Sequence, residues 1–216
     1  MATGVYRIEL DGRWDLKDLY EFPHAFLQAY SFIYAFDSEL DPRDYDRITY
    51  ALESYPWRGG YSVVNMYQVL NSQVEPEFRP VIKEIHYASP GWIELFAHLH
   101  PAVQIAMGVA SIAGSVAGVA KAYTVVQNTL YNIRLRARRA RIEHIQLTRT
   151  EVQELTGLTN DLANAIGFSG TQDLIQRTGS PEVAAKLVSA HYRRLKILSD
   201  FVVKGKARLP TGQDEG

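Results

Sequence analysis

The sequence has no cysteine in its 216 residues, and this absence narrows the possible chemistry. Disulfide bonds, thiolate metal sites and cysteine nucleophiles are all excluded. The first ten residues, MATGVYRIEL, lack the basic segment and apolar core of a secretory signal, so we expect the amino-terminal part to begin in the cytoplasm. With 46% hydrophobic residues, the chain has enough apolar side chains to form a folded core.

Catalytic motifs are equally scarce. The sequence contains no phosphate loop, no GxGxxG after a strand, no GxSxG and no HExxH, and its six histidines are scattered. His98 and His100 would share one face of a strand, which suggests at most a weak zinc pair, with two interfacial imidazoles as the favoured interpretation. We therefore expect no enzymatic activity, no metal site and no cofactor.

The formal charge is nearly balanced at −1, but it differs between the two halves of the chain. Residues 1–101 contain fifteen acidic side chains against eight lysines and arginines, a charge of −7. Residues 102–216 contain nine against fifteen, a charge of +6. The acidic half should repel nucleic acid and anionic lipid, whereas the basic half should attract either one.

The middle of the chain has an uncharged apolar run at 102–120, AVQIAMGVASIAGSVAGVA. Its nineteen residues are just enough for a helix that crosses the hydrocarbon core of a bilayer. No glycine or proline follows between 123 and 155, so we expect the helix to continue for several more turns. The competing interpretation is an alanine-rich core helix in a soluble oligomer.

One side of this helix would carry small and polar residues, because these recur at helical spacing. Small residues at every fourth position let helix backbones approach closely in lipid, and a polar stripe can face water inside a ring of identical helices. The stripe predicted to line a pore or an oligomer contact consists of Gln104, Gly108, Ser111, Gly114, Ser115, Gly118 and Ala122.

Five arginines follow within the eight residues 134–141. Such a block is typical of a cytoplasmic flank that binds anionic phospholipid, but it could instead hold a phosphorylated ligand or an oligonucleotide, as could the HYRR segment at 191–194. At the mouth of a pore, the same cations would favour anions. The residues predicted to bind lipid, ligand or anions are Lys121, Arg134, Arg136, Arg138, Arg139, Arg141, His191, Tyr192, Arg193, Arg194 and Lys196.

Periodicity predicts an α+β amino-terminal domain with a small antiparallel sheet. Alternation indicates a strand over 5–10 and a hairpin of 80–88 and 92–99, and apolar spacing indicates an aromatic helix over 16–36 with a kink or a new start at Pro23. We expect shorter helices over 45–55 and 62–70. The acidic segment 37–46 is interpreted as helix caps and solvated acids.

The carboxyl-terminal part is predicted to be helical. Glycines at 157 and 167–170 should interrupt it, and Ser180-Pro181-Glu182 should begin a last helix that runs to about 203. The predicted domains are an α+β sensor or regulatory domain at 1–100, an apolar membrane or oligomerisation helix at 101–126, a basic helical domain at 127–209 and a disordered tail at 210–216.

The chain contains, in order, the YRIEL start, the DLYEFPHAFLQAYSFIYAF helix, GYSVVNMYQVL, IHYASPGWIELF and the apolar run. This arrangement resembles a group of small bacterial membrane effectors of anti-phage defence, such as the channel-forming effector of the Hailong type. The resemblance implies a homo-oligomer at the bacterial inner membrane, with cytoplasmic soluble domains, that acts in abortive infection. It also implies an oligonucleotide ligand made by a nucleotidyltransferase encoded nearby.

Two functions follow as expectations. The first is a homo-oligomeric membrane effector with a gated, anion-favouring pore that an anionic, oligonucleotide-like ligand restrains or triggers. Because an acidic domain without a signal rarely crosses a membrane, the apolar helix should insert only on activation or assembly, or enter the bilayer without crossing it. The alternative is a soluble oligomeric adaptor that binds nucleic acid or a partner protein through its basic helical region.

Overall fold

The computed structural model describes residues 2–37, 40–55, 61–139 and 147–212, without the side chains of 61–64. These residues form a small antiparallel sheet of four strands and eight α-helices, a mixed and mostly helical fold. The elements in chain order are β1 (Thr3–Leu10), α1 (Leu16–Ala35), α2 (Pro42–Glu53), α3 (Tyr61–Gln73), a 3-10 turn (Pro76–Phe78), β2 (Val81–His86), β3 (Gly91–His98), α4 (Leu99–Gly114), α5 (Val116–Arg139), α6 (Arg149–Ala165), α7 (Thr171–Thr178), α8 (Pro181–Val203) and β4 (Ala207–Arg208).

The sheet has the strand order β2-β3-β1-β4, and every neighbouring pair is antiparallel. The predicted small antiparallel sheet is confirmed, and β4 adds a fourth strand to the three that were predicted. β4 has only two residues, Ala207 opposite Leu10 and Arg208 opposite Glu9. Two residues are too few to give an alternation that sequence reasoning can detect.

The predicted helices of the amino-terminal part are confirmed. Asp15 caps α1 through a reciprocal pair of bonds, since its Oδ1 accepts from the Asp18 N–H at 2.9 Å and Asp18 Oδ2 accepts from the Asp15 N–H at 3.1 Å. α1 continues through Pro23 as one helix, so no second helix begins at that residue. Its second half is buried on all sides because the sheet, α3, α4 and α8 surround it.

The apolar run forms two helices, and the prediction of one long helix is wrong. Ser115 separates α4 from α5 with φ −139° and ψ 49°, and the two helix axes are bent by 101°. Gly114 has low helix propensity and the hydroxyl of Ser115 competes for backbone hydrogen bonds, which makes this pair a natural break. No single described helix is long and apolar enough to cross a membrane, although the bent pair taken together is.

The predicted continuation for several more turns is confirmed, since α5 runs to Arg139. Thr148 begins a separate helix, α6, through a capping box: its Oγ1 accepts from the Glu151 N–H at 3.2 Å, and Glu151 Oε2 accepts from the Thr148 N–H at 2.8 Å. Gly157 lies inside α6 and does not interrupt it. The start of α8 is confirmed, with Ser180 as its cap.

The hydrophobic core draws on both halves of the chain. α8 packs against α1, α4 and α6, and the Phe201 ring on α8 lies 5.1 Å from the ring of Trp14 and 5.2 Å from that of Phe22. α4 contributes Ile105 and Ile112, both fully buried. Each such side chain stabilises the fold by roughly 1.5–3 kcal/mol. This packing fixes the positions of α1, α4 and α8 around the cavity described next.

Candidate functional site

A cavity of about 800 Å³ lies where α1, α2, α4, the α6–α7 loop and α8 meet. We call it the acidic cavity, after the three aspartates in its lining. Its apolar walls include the rings of Phe36 and Phe168. Its polar lining consists of Asp37, Tyr45, Asp46, His100, Gln104, Ser169, Asp173 and His191.

One wall contains a carboxylate paired with an imidazole. Asp37 follows the end of α1 and its side chain is fully buried, with Oδ2 2.7 Å from Nδ1 of His100. When Nδ1–H donates to this carboxylate, Nε2 accepts from the amide of Gln104 at 3.3 Å. His98 Nδ1 lies 3.9 Å from the same carboxylate oxygen. The pair fixes the orientation of His100, whose ring is partly exposed to the cavity.

The opposite wall is held by a buried arginine. Arg177 is only 2% exposed, and its Nη1 donates to the carbonyl of Ala35 at 2.7 Å and to Asp173 Oδ2 at 3.0 Å. Its guanidinium lies 4.9 Å from the ring of Phe36 and 4.6 Å from that of Tyr45. The Tyr45 hydroxyl donates to Asp173 at 3.0 Å, and partial burial with this bond raises the pKa of Tyr45. The charge of Asp173 is therefore largely satisfied within the fold.

His191 lines the cavity from α8. The residue is 1% exposed, its ring stacks on Phe32 with centroids 4.3 Å apart, and its Nδ1 has no hydrogen-bond partner. Burial lowers the pKa of His191 to about 3, so its ring is neutral at pH 7. A buried nitrogen without a partner costs folding free energy.

The described lining of the cavity is acidic. It includes three carboxylates, those of Asp37, Asp46 and Asp173, and neither lysine nor arginine is found among the described lining residues. Within the described part of the chain, no group of three or more His, Asp or Glu side chains is arranged to hold a metal ion. Asp37 and Asp173 are paired with His100 and Arg177, so Asp46 supplies the charge that favours cationic or hydrogen-bond-donating groups over anions.

The residues of the predicted stripe lie in different environments in the structure. Gln104 lines the acidic cavity, and Ser111 Oγ donates to the carbonyl of Ala165 at 2.7 Å. A Cβ at Gly108 would lie 2.8 Å from the carbonyl oxygen of Ile166, so this glycine allows α4 to approach the end of α6. Further along, Ala122 packs against the core. The members exposed near the bend are Gly114, Ser115 and Gly118.

The predicted basic residues of α5 mostly face outward. Arg136 donates to Glu151 at 2.9 Å. Arg141 lies outside the described residues. The exposed members of the set are Lys121, Arg134, Arg138 and Arg139. Together they leave a cationic surface along α5.

The HYRR segment does not form one site. His191 lines the acidic cavity, whereas Tyr192 is buried with its ring 4.6 Å from that of Tyr123. Arg193 donates to the Tyr123 hydroxyl at 3.2 Å, and the guanidinium of Arg194 lies 5.2 Å from the ring of Tyr67. The other predicted cation of α8, Lys196, pairs with Asp200.

Sequence reasoning missed the carboxylates of the cavity. Asp41 does cap α2, since it accepts from the Arg43 N–H at 2.9 Å, but Asp37 and Asp44 are buried, so the interpretation of 37–46 as caps and solvated acids is only partly right. Two signals could have identified Asp37. It directly follows the apolar run SFIYAF, and two histidines stand two residues apart at the start of α4.

Comparisons with protein families, curated proteins and solved structures found no match to this chain. The resemblance to defence effectors therefore stays a prediction from the order of its segments, and the site geometry carries the functional argument.

Proposed function

We propose that this chain is a small-molecule-binding protein whose ligand occupies the acidic cavity and presents a cationic or hydrogen-bond-donating group. The observation that supports this most directly is that three carboxylates line one cavity, with Asp46 exposed, and that no lysine or arginine is among its described lining residues. The volume of about 800 Å³ falls within the range of sites that enclose small organic ligands.

The polar groups of the cavity have different roles in this proposal. Asp37 is paired with His100, and Asp173 with Arg177 and Tyr45, so these carboxylates hold the walls in place. Asp46 lies at the exposed rim and supplies the charge that attracts a cation. The aromatic walls, with the neutral ring of His191 at the buried end, contact an apolar ligand body.

Three probes of the same shape test the charge preference: benzamidinium, neutral benzamide and benzoate. We expect benzamidinium to raise the melting temperature and to bind about tenfold more tightly than benzamide, since it forms charge-assisted hydrogen bonds, and benzoate to bind most weakly. Isothermal titration calorimetry gives the three affinities. If benzoate binds best, the acidic lining does not select the ligand.

A matched pair of variants tests whether binding occurs in the cavity. Ser169→Arg introduces a cation at an exposed position of the lining, whereas Asn164→Arg makes the same charge change on the exposed face of α6 outside the lining. The first should abolish benzamidinium binding and the second should leave it intact. Equal binding by both variants would place the probe elsewhere on the protein.

A second proposal is the membrane effector of bacterial anti-phage defence, a homo-oligomer with an anion-favouring pore. The bent apolar pair α4–α5 supports it, together with small exposed residues at the bend and the cationic surface of α5. Because α4 is packed in the core, this function requires α4 to leave the fold or only the bend to enter the bilayer. Flotation with anionic vesicles, followed by anion flux from them, tests it. Flux that is unchanged in Gly118→Leu and Lys121→Glu would count against a pore at this bend.

A further inference from the structure

β2 forms an open edge of the sheet. Within the described residues it pairs only with β3, and all six of its residues are exposed. Val81, Ile82 and Ile85 are each at least 50% exposed. An edge strand with half-exposed aliphatic side chains and unpaired backbone groups is a surface that proteins usually cover or pair.

Along β2, the order of side chains on the inner and outer faces of the sheet is the same in both chain directions. Ile82 lies opposite Leu95 and Ile85 opposite Ile93, on the face that packs on α1. A register shift between Ile82 and Glu84 places Lys83 and Glu84 together on the outer face, where Lys83 Nζ lies 5.4 Å from the ring of Phe96. The sequence from 82 to 85 is thus inner, outer, outer, inner.

We propose that β2 pairs with β2 of a second copy of this chain, antiparallel, about a twofold axis between Lys83 and Glu84. In this register each Ile82 faces Ile85 of the second copy on the inner side. Each Lys83 faces Glu84 of the second copy on the outer side. Both the apolar contact and the ion pair are formed twice, as a twofold interface requires.

The register shift favours pairing of β2 with a second copy of this chain over pairing with an unrelated strand. A bulge normally protects an edge from pairing, because a regular strand cannot match the two neighbouring residues that share one face. A second copy has the same register shift at the position opposite this one. Inner side chains therefore face inner side chains, and outer ones face outer ones, on both sides of the axis. The charges also agree, since Lys83 and Glu84 are adjacent and opposite in sign.

An apolar groove beside β2 extends the same surface. It has a volume of about 180 Å³ between α1 and β2 and is lined in part by Pro23, Leu27 and Ile82. Leu16 and Tyr20 lie on the same face of α1 as Pro23 and Leu27, because the four residues recur at helical spacing. They are 87% and 66% exposed. The twofold axis brings α1 of each copy to the same side of the joined sheet, where these side chains are covered.

Charge reversal tests the interface without disturbing the core, because both charged side chains are exposed. The wild-type chain should sediment at twice its mass of 24.4 kDa. Lys83→Glu and Glu84→Lys each replace two attractive pairs by two repulsive ones, so each should weaken the dimer about tenfold or more. Sedimentation equilibrium measures the dissociation constants.

Three further samples separate this interface from general effects of charge. The double variant Lys83→Glu/Glu84→Lys restores opposite charges across the axis and should recover the wild-type dissociation constant. An equal mixture of the two single variants should form heterodimers for the same reason. Arg149→Glu, the same charge change as Lys83→Glu at an exposed position on α6, should have no effect because α6 packs mainly on α5 and α8. A monomeric wild-type chain, or a swap that recovers nothing, would overturn the proposal; an unrelated protein that binds β2 of a monomer would do the same.

Discussion

His191 has different protonation states in the folded and unfolded chains over a wide pH range. In the unfolded chain its pKa is about 6.5, whereas burial lowers the pKa to about 3 in the folded protein. Between these values the unfolded state binds more protons. The contribution of this residue to the free energy of unfolding is therefore complete above about pH 6.5. It is lost as the pH falls towards the folded pKa.

We expect the free energy of unfolding to fall by about 2 kcal/mol between about pH 7 and pH 5 because of this one residue. In His191→Gln, which cannot be protonated, the loss over the same range should be smaller by about that amount. Urea unfolding at each pH measures the difference. His24→Gln, at an exposed position on α1, is the control and should keep the wild-type pH dependence. An unchanged pH dependence in His191→Gln would show that the buried imidazole is not its source.

α4 contains two glycines of the predicted stripe in contrasting environments. A Cβ at Gly108 would lie 2.8 Å from both the Ile166 carbonyl oxygen and Leu195 Cδ1, whereas a Cβ at Gly114 would meet nothing within 4 Å. Gly108→Ala should therefore lower the free energy of unfolding by about 2 kcal/mol through overpacking, and Gly114→Ala should change it by less than about 1 kcal/mol. Urea unfolding at constant pH distinguishes the two.

The same pair separates packing within the chain from packing between chains. If the stripe served only contacts between copies, both alanine variants would leave the unfolding of the isolated chain unchanged and would alter oligomer formation. Equal stability of the two variants would therefore contradict the contact between α4 and the end of α6.

The elements that sequence reasoning identified are those with strong local signals. The alternation of β1, the capping residues Asp15 and Ser180 and the turn between β2 and β3 each depend on a few neighbouring residues. The bend at Ser115 was missed because an uncharged alanine-rich run has the same pattern in one helix or two. β4 was missed because only its pairing with β1 makes it a strand.

The acidic cavity could be predicted only in part because it is a property of the tertiary structure. Gln104 and His191 were selected from the sequence, but for other roles, and they lie on α4 and α8. Asp37 and Asp173 come from segments more than a hundred residues apart, and nothing in their local sequence relates them. Residue types at helical spacing indicate which side chains share one face of a helix. The tertiary packing of α1, α4, α7 and α8 determines which of these faces line the same cavity.

At the scale of the whole molecule, the core that joins the two halves leads to a test of the predicted domain boundary at residue 100. Buried residues of β1, α1, α4, α6 and α8 belong to one hydrophobic cluster. A shared core of this kind makes unfolding cooperative, so that a change on one element affects all of them. Leu162 on α6 is fully buried, and the three tryptophans of the chain all lie before residue 100.

Leu162→Ala should lower the free energy of unfolding by about 3 kcal/mol and the melting temperature by roughly 10 °C. If the core is shared, the midpoint from tryptophan fluorescence, whose three reporters all lie before residue 100, should shift as far as the midpoint from far-ultraviolet circular dichroism, which reports on all helices. Asn160→Ala, an exposed change on α6, should leave both midpoints in place. An independent domain at 1–100 would instead keep its fluorescence midpoint in Leu162→Ala while the dichroism transition separates into two steps, because a cavity on α6 would then destabilise only the helices packed around it.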